Sequence, residues 1–329
     1  MTAASIEGGS TTAAHTEGGE LRGFGDRLAE RVAARRSQVV LGLDPDPGRL
    51  WPDALRRAHS EPAAAGASPA DRAAHAVAAH CELAIEATSE ECVAVKLQVA
   101  CFERLGAPGW RALAATVALA QKHGLLVIAD AKRGDVEVTA AAYAQAFLGE
   151  TPTPFGPVPG LGADAMTVNP LLGLDSLEPF VTTARAHGRG LFVLVRTSNP
   201  GAADVQERAL ADGGAVSERL AAIVDQAGAG GVGVTGLSDV GAVVGATAPD
   251  RLAGLRERMP RAVFLLPGVG AQGGNVEELA PAFACGPAGG LIAASRGIVA
   301  AHERAGGDPG AAAAQEARRL RELAWRLAA

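Results

Sequence analysis

The stretch Ile128-Ala-Asp-Ala-Lys-Arg-Gly-Asp135 sets two carboxylates close to an ammonium. In an extended strand residues two apart share a face, so Asp130 and Lys132 point the same way. Gly134 permits a sharp turn, after which Asp135 opens the next helix. An ammonium at a strand end is costly unless carboxylates stand beside it. Lys96, within Ala94-Val-Lys-Leu97, is a second cation in an otherwise apolar run. Two lysines and two aspartates can alternate so that each charge lies between opposite neighbours, holding a protonated amine rigidly beside a reacting atom. The plainer reading makes Asp130–Lys132 a structural ion pair and Asp135 a helix N-cap.

A second constellation lies near the C-terminus. Pro267-Gly-Val-Gly-Ala-Gln-Gly-Gly274 and Ala294-Ser-Arg-Gly-Ile298 are turns after apolar runs. Gly-rich turns and helix starts expose backbone N–H groups that favour anions. Arg296, followed by Gly297, can add a bidentate positive charge suited to phosphate. Polar residues cluster wherever an apolar run stops: Asp44, Thr167 and Asn169, Arg196 to Asn199, Gln272 and Ser295.

What must position these groups is a repeated theme of apolar run, polar turn and helical stretch. The runs cover 39–43, 93–97, 125–129, 163–168, 191–195, 241–245, 263–266 and 291–294. They read as strands buried on both faces. Helical patterns are expected at 24–35, 73–88, 110–123, 139–147 and 176–187. Such alternation predicts an α/β protein with a parallel sheet, and eight units predict a closed (β/α)8 TIM barrel whose C-terminal rim gathers the polar residues. An open doubly wound sheet should carry a GxGxxG turn after its first strand, and LGLDPDPG at 41–48 is unlike one. Residues 61–69 and 151–160 read as inserted loops, residues 1–20 as a disordered tail, and 21–329 as one barrel domain.

The 329 residues are 48% hydrophobic, enough for a large core, and the net charge of −6 speaks against nucleic acid or an anionic membrane as partner. No run reaches the ~18 apolar residues of a membrane helix, and no basic segment precedes an apolar run at the N-terminus. Cys81, Cys92, Cys101 and Cys285 lack metal spacing and read as small hydrophobes. The expectation is a cytoplasmic, reduced protein.

Taken in order, the motifs resemble the orotidine 5'-phosphate decarboxylase family, in the type 2 variant common in mycobacteria and related bacteria. The pieces are GFGDRL (23–28), LGLDPDP (41–47), AVKLQVACFERLGAPG (94–109), VIADAKRGD (127–135), DAMTVNPLLGLDSLEPF (164–180), LFVLVRTSNPGA (191–202), VVGAT (243–247), LLPGVGAQGG (265–274) and ASRGI (294–298). The resemblance implies conversion of orotidine 5'-phosphate to UMP and CO2, the last step of de novo UMP biosynthesis, without cofactor or metal. It implies that Lys132 protonates C6 of the pyrimidine and that Asp130 stands beside the substrate carboxylate. It further implies a homodimer in which Asp135 reaches into the neighbouring site. Lys96 and Asp44 would contact the ribose hydroxyls, Thr197 and Ser198 the pyrimidine, and Gln272, Arg296 and Gly297 the phosphate side. Two departures from that variant are Leu97, where proline is usual, and the Glu137-Val138 pair.

Three other readings compete. A class I aldolase would use a barrel lysine as a Schiff base, but two flanking carboxylates suit an ammonium better than a nucleophilic amine. A magnesium-dependent sugar-phosphate lyase needs carboxylates around a metal, where the interleaved lysines would crowd it. A catalytically dead barrel that binds a nucleotide would be expected to have lost some of these charges. None of the seven histidines falls at a strand end; His123 and His187 sit before glycine, where helices are capped.

Overall fold

The computed structural model describes residues 21–60, 67–270 and 273–328; the expected tail at 1–20, most of the loop at 61–69 and Gln272 lie outside them. Eight parallel strands form a closed barrel: β1 (Val39–Leu43), β2 (Ala94–Gln98), β3 (Leu126–Arg133), β4 (Ala165–Val168), β5 (Gly190–Arg196), β6 (Val240–Val244), β7 (Phe264–Pro267) and β8 (Gly290–Ala294). Neighbours in sequence are neighbours in the sheet, and β8 closes onto β1 with Val39 opposite Ile292 and Leu41 opposite Ala294. This is the (β/α)8 barrel that the eight runs predict.

The strand period of two sorts side chains into two cores. In β3, Leu126 and Ile128 belong to a cluster inside the barrel, whereas Val127 and Ala129 belong to the shell between strands and helices. Phe192 and Leu265 share the inner cluster, and the helix Phe24–Arg35 closes the barrel's base, with Phe24 edge-on to Phe192 at a centroid distance of 5.9 Å. Inward positions turn polar toward the C-terminal ends of the strands, from Lys96 in β2 and Asp130 in β3 onward. Leu97, the departure from the expected proline, lies in the shell and keeps its place in the ladder opposite Ala129.

Several elements differ from the sequence expectation. The helix expected at 73–88 begins earlier, at Pro69–Thr88, because Ser68 and Asp71 form a reciprocal capping box. The expected loop at 151–160 contains a two-stranded ribbon, Glu150–Thr151 against Val158–Pro159. Between β7 and β8 the crossover is a 3-10 helix, Val276–Phe283, interrupted by Pro281. Arg256 is buried there over the Phe264 ring and donates to the carbonyls of Met259, Ala262, Ala282 and Gly289. The C-terminal helix Pro309–Ala328 packs on Pro69–Thr88 and is tied by Arg318 and Arg321 to the buried Glu91, each at 3.0 Å. Among the described residues no helix is long and apolar enough to cross a membrane.

His123 and His187 occupy the cap positions after their helices. Cys81 and Cys92 are buried free thiols, and burial raises each to about 12; Cys101 and Cys285 are half-buried.

Candidate active site

A cavity of about 390 Å3 opens at the C-terminal ends of the strands, and each of the eight strands or the turn that follows it contributes to its lining. Its floor is charged on one side. Lys96 Nζ donates to Asp130 Oδ2 at 2.7 Å, and Lys132 Nζ donates to Asp130 Oδ1 at 2.5 Å. Asp44 Oδ1 lies 3.8 Å from Lys96 Nζ. The charges thus run Asp44, Lys96, Asp130, Lys132, alternating in sign. Two neutral groups complete the shell of Asp130: Gln98 Nε2 donates to Oδ2 at 3.3 Å and Thr167 Oγ1 to Oδ1 at 2.9 Å.

Burial works against charge on both central partners, and the pairing outweighs it. For Asp130 burial would push the carboxyl up, but Lys96 and Lys132 hold it well below the usual carboxylate range. For Lys96 burial alone would lower the ammonium, yet Asp130 and Asp44 hold it above its ordinary value. Both groups therefore stay ionised in a largely dry setting, where a fixed charge acts with little screening.

Local backbone geometry delivers Lys132. Ala129 pairs with Met166 and Arg133 with Val168, so three residues of β3 bulge against Thr167 alone. Lys132 has φ of 48°, a left-handed conformation rare for a side chain of this kind. Its N–H donates at 2.9 Å to Thr167 Oγ1, not to a ladder carbonyl. At Gly134, expected to permit a sharp turn, a Cβ would stand 2.7 Å from the Asn169 carbonyl oxygen, so glycine here permits close passage of two chains.

The rest of the cavity rim is differently built. Ser295 precedes the short helix Arg296–Val299, and Gly42 of β1 leaves room for it, since a Cβ on Gly42 would meet Ser295 Cβ at 2.7 Å. The Arg296 side chain is exposed at the rim and has no protein partner among the described residues. Thr197 and Ser198 follow β5. Arg196 braces their turn from beneath, bonding Glu207 at 2.7 Å, Thr247 Oγ1 at 3.0 Å and the Thr197 carbonyl at 3.0 Å. Thr197 is committed to Gln206 and Asn199, whereas the Ser198 hydroxyl has no protein partner among the described residues.

Of the residues singled out from the sequence, Asp44, Lys96, Asp130, Lys132, Thr197, Ser198, Arg296 and Gly297 line one cavity. Gln272 lies outside the described residues. Asp135 does not line its own chain's cavity and makes no ion pair among the described residues; its carboxylate accepts only from the adjacent Val136 N–H. Nor is it an N-cap, because the next helix, Glu137–Leu148, starts after Val136. Gln98 was not singled out, although the inward alternation Ala94, Lys96, Gln98 points to it. Thr167 stood out only as a polar strand end. Among the described residues no three His, Cys, Asp or Glu side chains converge as a metal site would require.

Residues 37–314 match the family described as orotidine 5'-phosphate decarboxylase / HUMPS. The chain belongs to this family. An orotidine 5'-phosphate decarboxylase of Deinococcus radiodurans is 41% identical over 84% of this chain and 88% of its own length. One from Haloarcula marismortui is 43% identical over 86% of this chain and 88% of its own. The solved structure of Leishmania donovani OMP decarboxylase superposes with a TM-score of 0.66 at 33% identity, covering 92% of this chain and 99% of that one. The charged floor and the open rim therefore belong to a decarboxylase family barrel.

Proposed function

We propose that this chain decarboxylates orotidine 5'-phosphate to UMP and CO2, with Lys132 as the proton donor. The observation that carries the reading is the sign-alternating row Asp44–Lys96–Asp130–Lys132 sharing one cavity with Arg296, which has no protein partner among the described residues. The C6–carboxylate bond breaks, its electron pair stays on C6, and the proton moves from Lys132 Nζ to C6 while CO2 departs. Arg296 and Gly297, with Gln272, take the phosphate; Thr197 and Ser198 address the pyrimidine; Lys96 and Asp44 hold the ribose hydroxyls. No cofactor or metal is assigned a role.

An sp2 carbanion with little conjugation has a high intrinsic barrier, so the site must supply the upper part of the ~8–23 kcal/mol that enzymes achieve. Repulsion between Asp130 and the substrate carboxylate is worth about 4 kcal/mol at 4 Å and an effective dielectric of 20. That is a minor share. A preorganised ammonium beside the developing charge is the larger effect. Incubation of the purified chain with orotidine 5'-phosphate tests the reading: loss of the substrate absorbance with stoichiometric UMP supports it, and no turnover overturns it.

Finer parts of the reading rest on separate supports. A homodimer that carries Asp135 into the neighbouring site agrees with the apolar surface flanking that residue, where Val136 is 47% exposed, Val138 81% and Leu171 79%. Sedimentation of a monomer at micromolar concentration would remove it. Placement in the type 2, mycobacterial-like variant rests on the ordered motifs, and a cytoplasmic location on composition.

A further inference from the structure

We infer that Thr167 is a positioning residue for the proton donor, a role that deepens and rests on the assignment of Lys132 above. Thr167 is buried and is the single β4 residue opposite the three-residue bulge of β3. Its one oxygen does two things. As donor it reaches Asp130 Oδ1 at 2.9 Å, the same oxygen that receives Lys132 Nζ. As acceptor it takes the Lys132 backbone N–H at 2.9 Å. One hydroxyl thereby holds both ends of the reactive lysine: the backbone directly, and the ammonium through the orientation of its carboxylate partner.

The need for such a holder follows from the backbone. The Lys132 φ of 48° lies where L-residues are rarely found, and conformations of this kind persist only when their surroundings over-determine them. The bulge removes the ladder carbonyl that would otherwise receive the Lys132 N–H, and the Thr167 hydroxyl takes its place. Without it, the strand end would carry an unpaired donor, a carboxylate short of one hydrogen bond, and a lysine free to relax toward ordinary strand geometry. Sub-ångström misplacement of a catalytic group is costly. Because Thr167 acts through Lys132, its loss should affect the chemical step and spare ground-state binding.

The test compares Thr167→Val, which keeps shape and removes the hydroxyl, with Thr167→Ser, which keeps the hydroxyl. Thr167→Val should lower kcat roughly 10- to 100-fold with KM for orotidine 5'-phosphate and Kd for UMP within about twofold of wild type. Thr167→Ser should stay within about threefold of wild type in kcat. Wild-type kcat in Thr167→Val overturns the inference, as does an equal loss in Thr167→Ser or a parallel loss of UMP affinity. Should Thr167→Val fail to fold, Thr167→Cys, a weak donor and acceptor, is read by the same split between kcat and KM. The underlying assignment fails separately: turnover by Lys132→Ala removes Lys132 and this inference together, whereas an inactive Lys132→Ala beside a fully active Thr167→Val removes Thr167 alone.

Discussion

The two sides of the cavity are satisfied in opposite ways. On the β2–β3 side every charge already has protein partners: Asp130 receives four donors, and Lys96 lies between two carboxylates. On the β8 side Arg296 and, across the mouth, the Ser198 hydroxyl have no protein partner among the described residues. Groups that must act at a fixed place during bond breaking are locked before substrate arrives, when reorganisation would otherwise add to the barrier. Groups that recognise a ligand keep their hydrogen-bonding capacity for it. On the proposed reading, the completed network around Asp130 serves the chemistry, and the groups without partners, Arg296 and Ser198, serve recognition.

That contrast breaks or sharpens under substitution. Lys132→Ala should lower turnover by at least ~10^4-fold, since it removes the proposed proton donor and its positive charge together, while UMP affinity measured by calorimetry changes little. Comparable losses in both would erase the distinction between floor and rim. Arg296→Ala should do the reverse, weakening UMP by roughly 10^2- to 10^3-fold through lost charge-assisted bonds and leaving uridine almost unaffected. Equal weakening of nucleotide and nucleoside would misplace the phosphate.

Acid titration separates the cavity from the shell around it. His80 is buried against Trp51 at a ring-centroid distance of 5.3 Å, its Nδ1 accepting the Trp51 backbone N–H, and burial followed by the neighbouring His302 lowers it to about 4. The unfolded chain binds that proton first, so stability falls as pH drops from 6.5 toward 4, by roughly 3 kcal/mol at ~1.4 kcal/mol per pH unit. In Asp130, held low by its lysines, the corresponding loss comes only below the ordinary carboxylate range. Denaturant melts of His80→Gln should lack the loss between pH 6.5 and 4; an unchanged profile would assign it elsewhere. The smallest effect expected is that of Gly42→Ala. Its Cβ would press on Ser295 and cost about 1–3 kcal/mol of stability, and UMP binding should suffer more than kcat. A kcat loss without a binding loss would show that Gly42 serves the floor.

Much of this was legible in the chain because it follows from period and position. Apolar runs with polar ends identify barrel strands and their rim, and the spacing of Asp130 and Lys132 already implies a shared face. The bulge was not legible: simple alternation yields the same inward Lys132, and nothing in the residue types announces a φ of 48°. Thr167 drew no attention beyond its polarity, since its importance comes from a neighbouring strand's irregularity. Gly134 makes a related point. A sequence shows that glycine is present, but only the fold shows whether dihedral freedom or the nearness of Asn169 requires it. The 3-10 crossover at Val276–Phe283 depends on Pro281 and on carbonyls gathered by Arg256 from distant segments.

The sealed base carries a consequence for the proposed reaction. With Phe24 wedged against Phe192, and Ile128 and Leu265 packed above them, a gas molecule set free at the floor finds solid hydrocarbon below and the nucleotide overhead. It must leave by the doorway through which the substrate came in. While it lingers it can recombine with the electron pair it left behind, so in the proposed mechanism prompt protonation of C6 by Lys132 is what would turn a reversible scission into a one-way step.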